Sequence, residues 1–243
     1  VSFLGAYLLA VVYRNLTDLR EKKKIKNAFS RYVSSEVLEE VLSHPAKLKL
    51  GGEKKELTIL FSDIRNFTRL SENLPPEKLV SLLNEYFSEM TKIIMETKGV
   101  VDKYIGDAIM AFWGAPIFDK NHAARACQAA LKMVNLLEEK QEKWLREYGF
   151  EIKIGIGINS GEVVVGNFGS DKRFDYTVIG DAVNLASRLE GLTKIYQTKI
   201  IVSRQTKELA GREFIFRYLD KVAVKGKKTK TEIYDGEIYF ENF

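Results

Sequence analysis

The sequence predicts an α+β domain in the order strand–helix–strand–strand–helix–strand, preceded by a helical segment. Three observations predict it. After Pro75-Pro76, the apolar residues Leu79, Leu82, Leu83, Tyr86, Phe87, Met90, Ile93 and Ile94 recur at helical spacing and stop near Gly99. Val100–Tyr104 and Ala108–Trp113 are β-forming runs folded back around Ile105-Gly106-Asp107, the pattern of a tight hairpin. Ile152, Ile154, Ile156 and Ile158 alternate with Lys153, Gly155, Gly157 and Asn159, the period of a half-buried strand. With Leu57–Ser62 as a first buried strand and Asn121–Tyr148 as a second long helix, the order is that of a ferredoxin-like βαββαβ domain.

Three segments follow along the chain: 1–14, 15–50 and 51–243. Val1–Tyr13 is almost wholly apolar and gives way to Arg14 and then Arg20-Glu-Lys-Lys-Lys24. Thirteen helical residues reach about 20 Å against a hydrocarbon core of roughly 30 Å. The apolar-then-basic order predicts the cytoplasmic end of a transmembrane helix, and hence the rest of the chain in the cytoplasm at the cell membrane. In Thr17–Ser43, Leu19, Ile25, Phe29, Val33, Val37 and Val41 predict a helical signalling stalk that pairs with its copy. His44-Pro45 ends it, and Gly51-Gly52 marks the boundary of the third segment. Beyond the second long helix, Ser160-Gly161 reads as a turn into a strand Val163–Phe168. A helix is expected over Asp181–Lys194, a short strand at Ile200–Val202, and a last hairpin from Phe214–Val224 and Glu232–Tyr239 around a Lys-rich tip.

Composition excludes several chemistries. Apolar residues make up 45% and charged residues 29% of the 243, a globular proportion. A single cysteine, Cys127, rules out an internal disulfide framework. His44 and His122 have no Cys or His companions at ligand spacing, which argues against zinc and against a histidine triad. The net charge of +5 is spread along the chain without a basic, aromatic-interleaved patch, so nucleic acid is not an expected partner. Gly155-Ile-Gly157-Ile-Asn-Ser-Gly161 lies along a strand and does not open a helix, so it is not a dinucleotide fingerprint.

Two carboxylates carry the chemistry. Asp63 ends the apolar run Leu57-Thr-Ile-Leu-Phe-Ser, and Asp107 sits at the hairpin tip. If the strands are neighbours, the two converge at one sheet edge. Converging carboxylates repel unless a cation lies between them, and a few carboxylate oxygens completed by substrate phosphates is the usual way magnesium is held.

Phe61-Ser-Asp-Ile-Arg-Asn-Phe-Thr68, Asp102-Lys-Tyr-Ile-Gly-Asp107 and Tyr176-Thr-Val-Ile-Gly-Asp-Ala-Val-Asn-Leu-Ala-Ser-Arg188 resemble the three signature segments of class III nucleotidyl cyclases, in the family's order. The resemblance runs from about Glu53 to near the C-terminus. It implies that Asp63, Asp107 and the backbone carbonyl of Ile64 bind two Mg2+ or Mn2+ ions per active site. It also implies that the amides of Phe67 and Thr68 receive the β- and γ-phosphates of ATP, with Lys225 reaching the same phosphates. Lys103 and Thr177 become the base-reading pair. A lysine only donates, which suits an adenine ring nitrogen and opposes the N1–H of guanine. Asn184 and Arg188, one helical turn apart, become the ribose-orienting and transition-state-stabilising residues.

The resemblance further implies a head-to-tail homodimer, with the metal aspartates from one subunit and Lys103, Thr177, Asn184 and Arg188 from the other. The expected function is an adenylyl cyclase making cyclic AMP and pyrophosphate from ATP. The alternatives are a guanylyl cyclase, or a catalytically silent nucleotide-sensing dimerisation module.

Overall fold

The computed structural model describes residues 50–170, 173–223 and 230–236. In chain order the elements are β1 (Gly51–Ile64), α1 (Phe67–Asn73), α2 (Pro76–Glu96), β2 (Val100–Ile105), β3 (Ala108–Trp113), α3 (His122–Tyr148), β4 (Ile154–Ser170), β5 (Arg173–Ile179), α4 (Asp181–Tyr196), β6 (Ile200–Ser203), α5 (Arg204–Ala210), β7 (Arg217–Val222) and β8 (Thr231–Asp235). The predicted βαββαβ order is present from β1 to β4. The expected membrane helix and stalk, and Lys225, lie outside the described residues. Among the described residues, no helix is long and apolar enough to cross a membrane.

The sheet has eight strands in the order β2-β3-β1-β4-β6-β8-β7, with β5 paired to the far half of β4. Strands β1, β3 and β4 are antiparallel, with Leu60 facing both Ala111 and Ile158. Leu60, Ile64, Ile109, Ala111, Trp113, Ile154, Ile156 and Ile158 share one core with Leu82, Tyr86, Met90 and Ile94 of α2 and Ala126, Ala130, Met133 and Leu137 of α3. A buried polar thread ties the helices to this sheet: Thr58 Oγ1 lies 2.6 Å from His122 Nδ1 and 2.7 Å from Ser160 Oγ, which is 3.1 Å from Thr206 Oγ1. His122 is therefore a structural histidine, and burial holds its pKa below the usual value.

The alternation at 152–159 has a different meaning from the one expected. β4 is buried on both faces over Ile154–Gly161. Its isoleucines meet α3, while the glycines face the other way: a Cβ on Gly157 would lie 2.1 Å from the Glu190 amide nitrogen and 2.4 Å from the Ala186 oxygen of α4, and one on Gly155 would meet the Arg65 guanidinium and the Thr193 hydroxyl. The glycines are a seat for a helix, not a solvent face. Ser160-Gly161 is also not a turn, because Gly161 faces Leu57 and Ser160 faces Thr58 in an unbroken ladder. Pairing over the whole length of β1 overrides local turn preference. β1 likewise begins at Gly51 rather than Leu57, its first residues exposed and held by β4. Strand β5 and helix α5 were not expected; β5 is exposed over Arg173–Asp175 and carries no strict alternation. Within the described residues the first strand of the last hairpin begins at Arg217 rather than Phe214, and residues 224 and 237–239 of the expected hairpin lie outside the described residues.

The helix seat generates a paired prediction. Gly157→Ala should destabilise the domain by about 1–3 kcal/mol, because the obstructing atoms are backbone. Gly191→Ala, on the same helix with open space around it, should instead stabilise it by roughly 0.5–1 kcal/mol. Thermal unfolding of the two variants checks both signs; equal melting temperatures would refute the seat.

Candidate active site

The β2–β3 hairpin turns on two residues, since Ile105 faces Ala108 directly. Gly106 takes a φ of 66°, and Asp107 keeps a negative φ, so glycine is needed at the first turn position only. This tight tip delivers Asp107 to the end of β1. Asp107 Oδ2 accepts a hydrogen bond from the Ile64 amide at 3.1 Å. Burial, and then the hydrogen-bonded and negatively charged Asp63 beside it, push the Asp107 carboxyl up to about 6. The convergence expected of Asp63 and Asp107 is thus present. Lys194 Nζ, 3.7 Å from Asp63 Oδ2, supplies partial compensation from α4. Two abutting carboxylates, one with its proton affinity raised by the other, form an oxygen donor set suited to a hard divalent cation.

Phe67 and Thr68 are the first two residues of α1. Asn66 precedes them in the left-handed region with φ 57° and gives no side-chain cap, leaving the first-turn amides available to an anion. Arg65 anchors the approach: its backbone N–H donates to the Lys153 carbonyl at 2.7 Å, and its guanidinium is 3.2 Å from Glu190 on α4.

Lys103 and Thr177 also come together within one chain, through a residue that the sequence reading passed over. Thr177 Oγ1 donates to Asp102 Oδ2 at 2.6 Å, and Lys103 Nζ lies 3.2 Å from Asp102 Oδ1. The β2–β3 register slips between Val101 and Lys103, a bulge that lets adjacent Asp102 and Lys103 meet in one cluster. A buried acid inside an apolar strand was the available signal.

Asn184 and Arg188 are exposed on α4, whose buried side is Ala182, Leu185, Ala186, Leu189 and Thr193. Glu190 and Lys194, which lie near Asp63, sit about 200° and 240° round the helix from Arg188 at 3.6 residues per turn. The guanidinium therefore faces away from the carboxylates of its own chain. One chain holds three groupings: the acidic pair with the α1 amides, the Asp102-centred pair, and the outward Asn184 and Arg188.

The model of the adenylate and guanylate cyclase catalytic domain matches residues 51–235. This chain belongs to that family. The chain is 39% identical to an adenylate cyclase of Anabaena cylindrica over 222 residues, covering 88% of this chain and 43% of that protein. It thus spans less than half the length of that curated relative. Among solved structures, the guanylyl cyclase Cya2 superposes with a TM-score of 0.71 at 39% identity, over 76% of this chain and 93% of that one. The adenylyl cyclase CyaB from P. aeruginosa gives 0.72 at 38%, over 78% and 96%.

The acidic pair generates a stability prediction. The Asp107 carboxyl is pushed up to about 6 from the ordinary 3.8, so its ionisation opposes folding in full above about pH 6, and that cost fades as the pH falls from about 6 toward 4. Asp63→Asn removes the repulsion. In EDTA at pH 7.5 it should raise stability by on the order of 1 kcal/mol, discounted for partial solvent access. The advantage over the parent should shrink toward pH 5; thermal melts across this range test it.

Proposed function

We propose that this chain is an adenylyl cyclase catalytic domain that converts ATP to 3′,5′-cyclic AMP and pyrophosphate. The observation that carries the reading is the meeting of Asp63 and Asp107 at the end of β1, beside the uncapped first turn of α1. With the Ile64 carbonyl, those carboxylates would hold two Mg2+ or Mn2+ ions. When bound, such ions lower the pKa of the ribose 3′-hydroxyl and neutralise charge developing on the α-phosphate.

The remaining work falls to the chain's own groups. The amides of Phe67 and Thr68 bind the outer phosphates, and Lys225 is assigned the same role. Lys103 donates to a ring nitrogen of adenine, and Thr177 receives its exocyclic amine. Asn184 orients the ribose, and Arg188 offers a planar, permanently charged guanidinium to the transition state. Because Arg188 points away from Asp63 of its own chain, a head-to-tail homodimer is the arrangement that supplies both to one nucleotide. The apolar-then-basic order of residues 1–24 supports attachment to a membrane, with this domain in the cytoplasm.

Overall similarity does not choose the base, since a guanylyl cyclase at 39% and an adenylyl cyclase at 38% identity are equally near. The choice of ATP rests on Lys103 and Thr177.

Turnover of purified protein with ATP and GTP, each with magnesium and manganese, should give cyclic AMP as the dominant product. Equal cyclic GMP would remove the assigned role of Lys103 and Thr177. No product at dimer-forming concentrations would favour a silent nucleotide-sensing module. Arg188→Ala should lower kcat by about 100-fold with little change in KM, the signature of a contact made in the transition state; a change in KM alone would contradict its role.

A further inference from the structure

The pair assigned to read the purine is built around a carboxylate that the cyclisation chemistry does not itself require. The Asp102 side chain has no solvent exposure, although it lies beside Lys103, whose side chain is 41% exposed. Its Oδ2 receives the Thr177 hydroxyl, and its Oδ1 faces the Lys103 ammonium at 3.2 Å without the alignment of a hydrogen bond. Burial raises the carboxyl's pKa, opposed by Thr177, by Lys103 and by the Val178 amide. The strand bulge at Asp102 provides the geometry.

A threonine hydroxyl has one hydrogen and can present itself to a ligand as donor or as acceptor. Left to rotate, it would accept from the 6-amino group of adenine or donate to the 6-oxo group of guanine, and would choose neither. An ionised carboxylate only accepts. We propose that Asp102 is a positioning residue that sets base specificity: by taking the single Thr177 hydroxyl hydrogen and holding the Lys103 ammonium, it fixes the pair as one acceptor and one donor. That array matches a 6-aminopurine and opposes a 6-oxopurine at both positions. The inference rests on the adenylyl cyclase reading above.

Asp102→Asn keeps the shape and reverses the polarity. The amide nitrogen cannot face an ammonium, so the amide oxygen stays toward Lys103 and the NH2 donates to Thr177 Oγ1. The hydroxyl hydrogen must then turn toward the base. The ratio of cyclic GMP to cyclic AMP formed from equimolar GTP and ATP should rise about tenfold or more over the parent. Adding Thr177→Asp to Asp102→Asn should restore the ATP preference, because the new carboxylate accepts without help. A parent enzyme without ATP preference would overturn the adenylyl cyclase reading itself. A parent with that preference and an unchanged ratio in Asp102→Asn would overturn the role of Asp102 alone.

If Asp102→Asn does not fold, the parent enzyme decides with two analogues of equal size that both keep N1 as an acceptor. N6-methyl-ATP retains a donor at position 6, and 6-methoxypurine riboside triphosphate does not. A hydroxyl locked by Asp102 should favour the former by about tenfold; equal turnover would show a freely rotating hydroxyl and end the proposal.

Discussion

The antiparallel pairing of β1 with β4, unbroken from Gly51 opposite Asn167 to Ile64 opposite Ile154, is the constraint on which the rest depends. One end of this ladder carries Asp63 to the edge where the β2–β3 hairpin brings Asp107. Toward the other end β4, still paired with β1, takes β5 on its opposite edge from Val164 onward, placing Thr177 opposite Gly166. The distance between the acidic pair and the Asp102 cluster is therefore set by backbone hydrogen bonds rather than by flexible side chains. Glycine at 155 and 157 lets α4 lie directly on this ladder and turns Asn184 and Arg188 outward.

Electrostatic conflict is concentrated directly above a tightly packed apolar core. The core under β1 is closed by Tyr86, Trp113 and Trp144, all fully buried. Asp63 and Asp107 stand above it with their charges opposed, and Asp102 is an acid with no access to water. Each conflict is left with a complementary charge at hand: Lys194 beside the first pair, Lys103 beside the second. Charge that a rigid scaffold holds only partly compensated suits the proposed site for cations and a nucleotide, and it accounts for the expected gain in stability when the repulsion is removed.

Much of this was legible in the sequence, for physical reasons. The long amphipathic helices and the Gly-Asp hairpin announce themselves through period and turn chemistry, and Asp63 and Asp107 interrupt apolar runs where a charge has no structural use. What escaped depended on tertiary contact. Gly155 and Gly157 look like the outer face of a strand until a helix is known to lie on them. Ser160-Gly161 looks like a turn until fourteen residues of β1 are seen to pair through it. Asp102 differs in kind: one residue from Lys103, it falls out of the alternation because of a bulge, and its partner Thr177 comes from a strand that the pattern did not reveal.

The central claim is that the acidic pair and Arg188 act on one nucleotide from different copies of the chain. Mixing Asp107→Ala protein with Arg188→Ala protein, each strongly impaired alone, tests it most directly. The account predicts that cyclase activity returns on mixing, because a mixed dimer assembles one site with both functions intact. Failure to recover any activity from folded, associating partners would contradict it, and would require Asp63, Asp107 and Arg188 to serve the same site within a single chain.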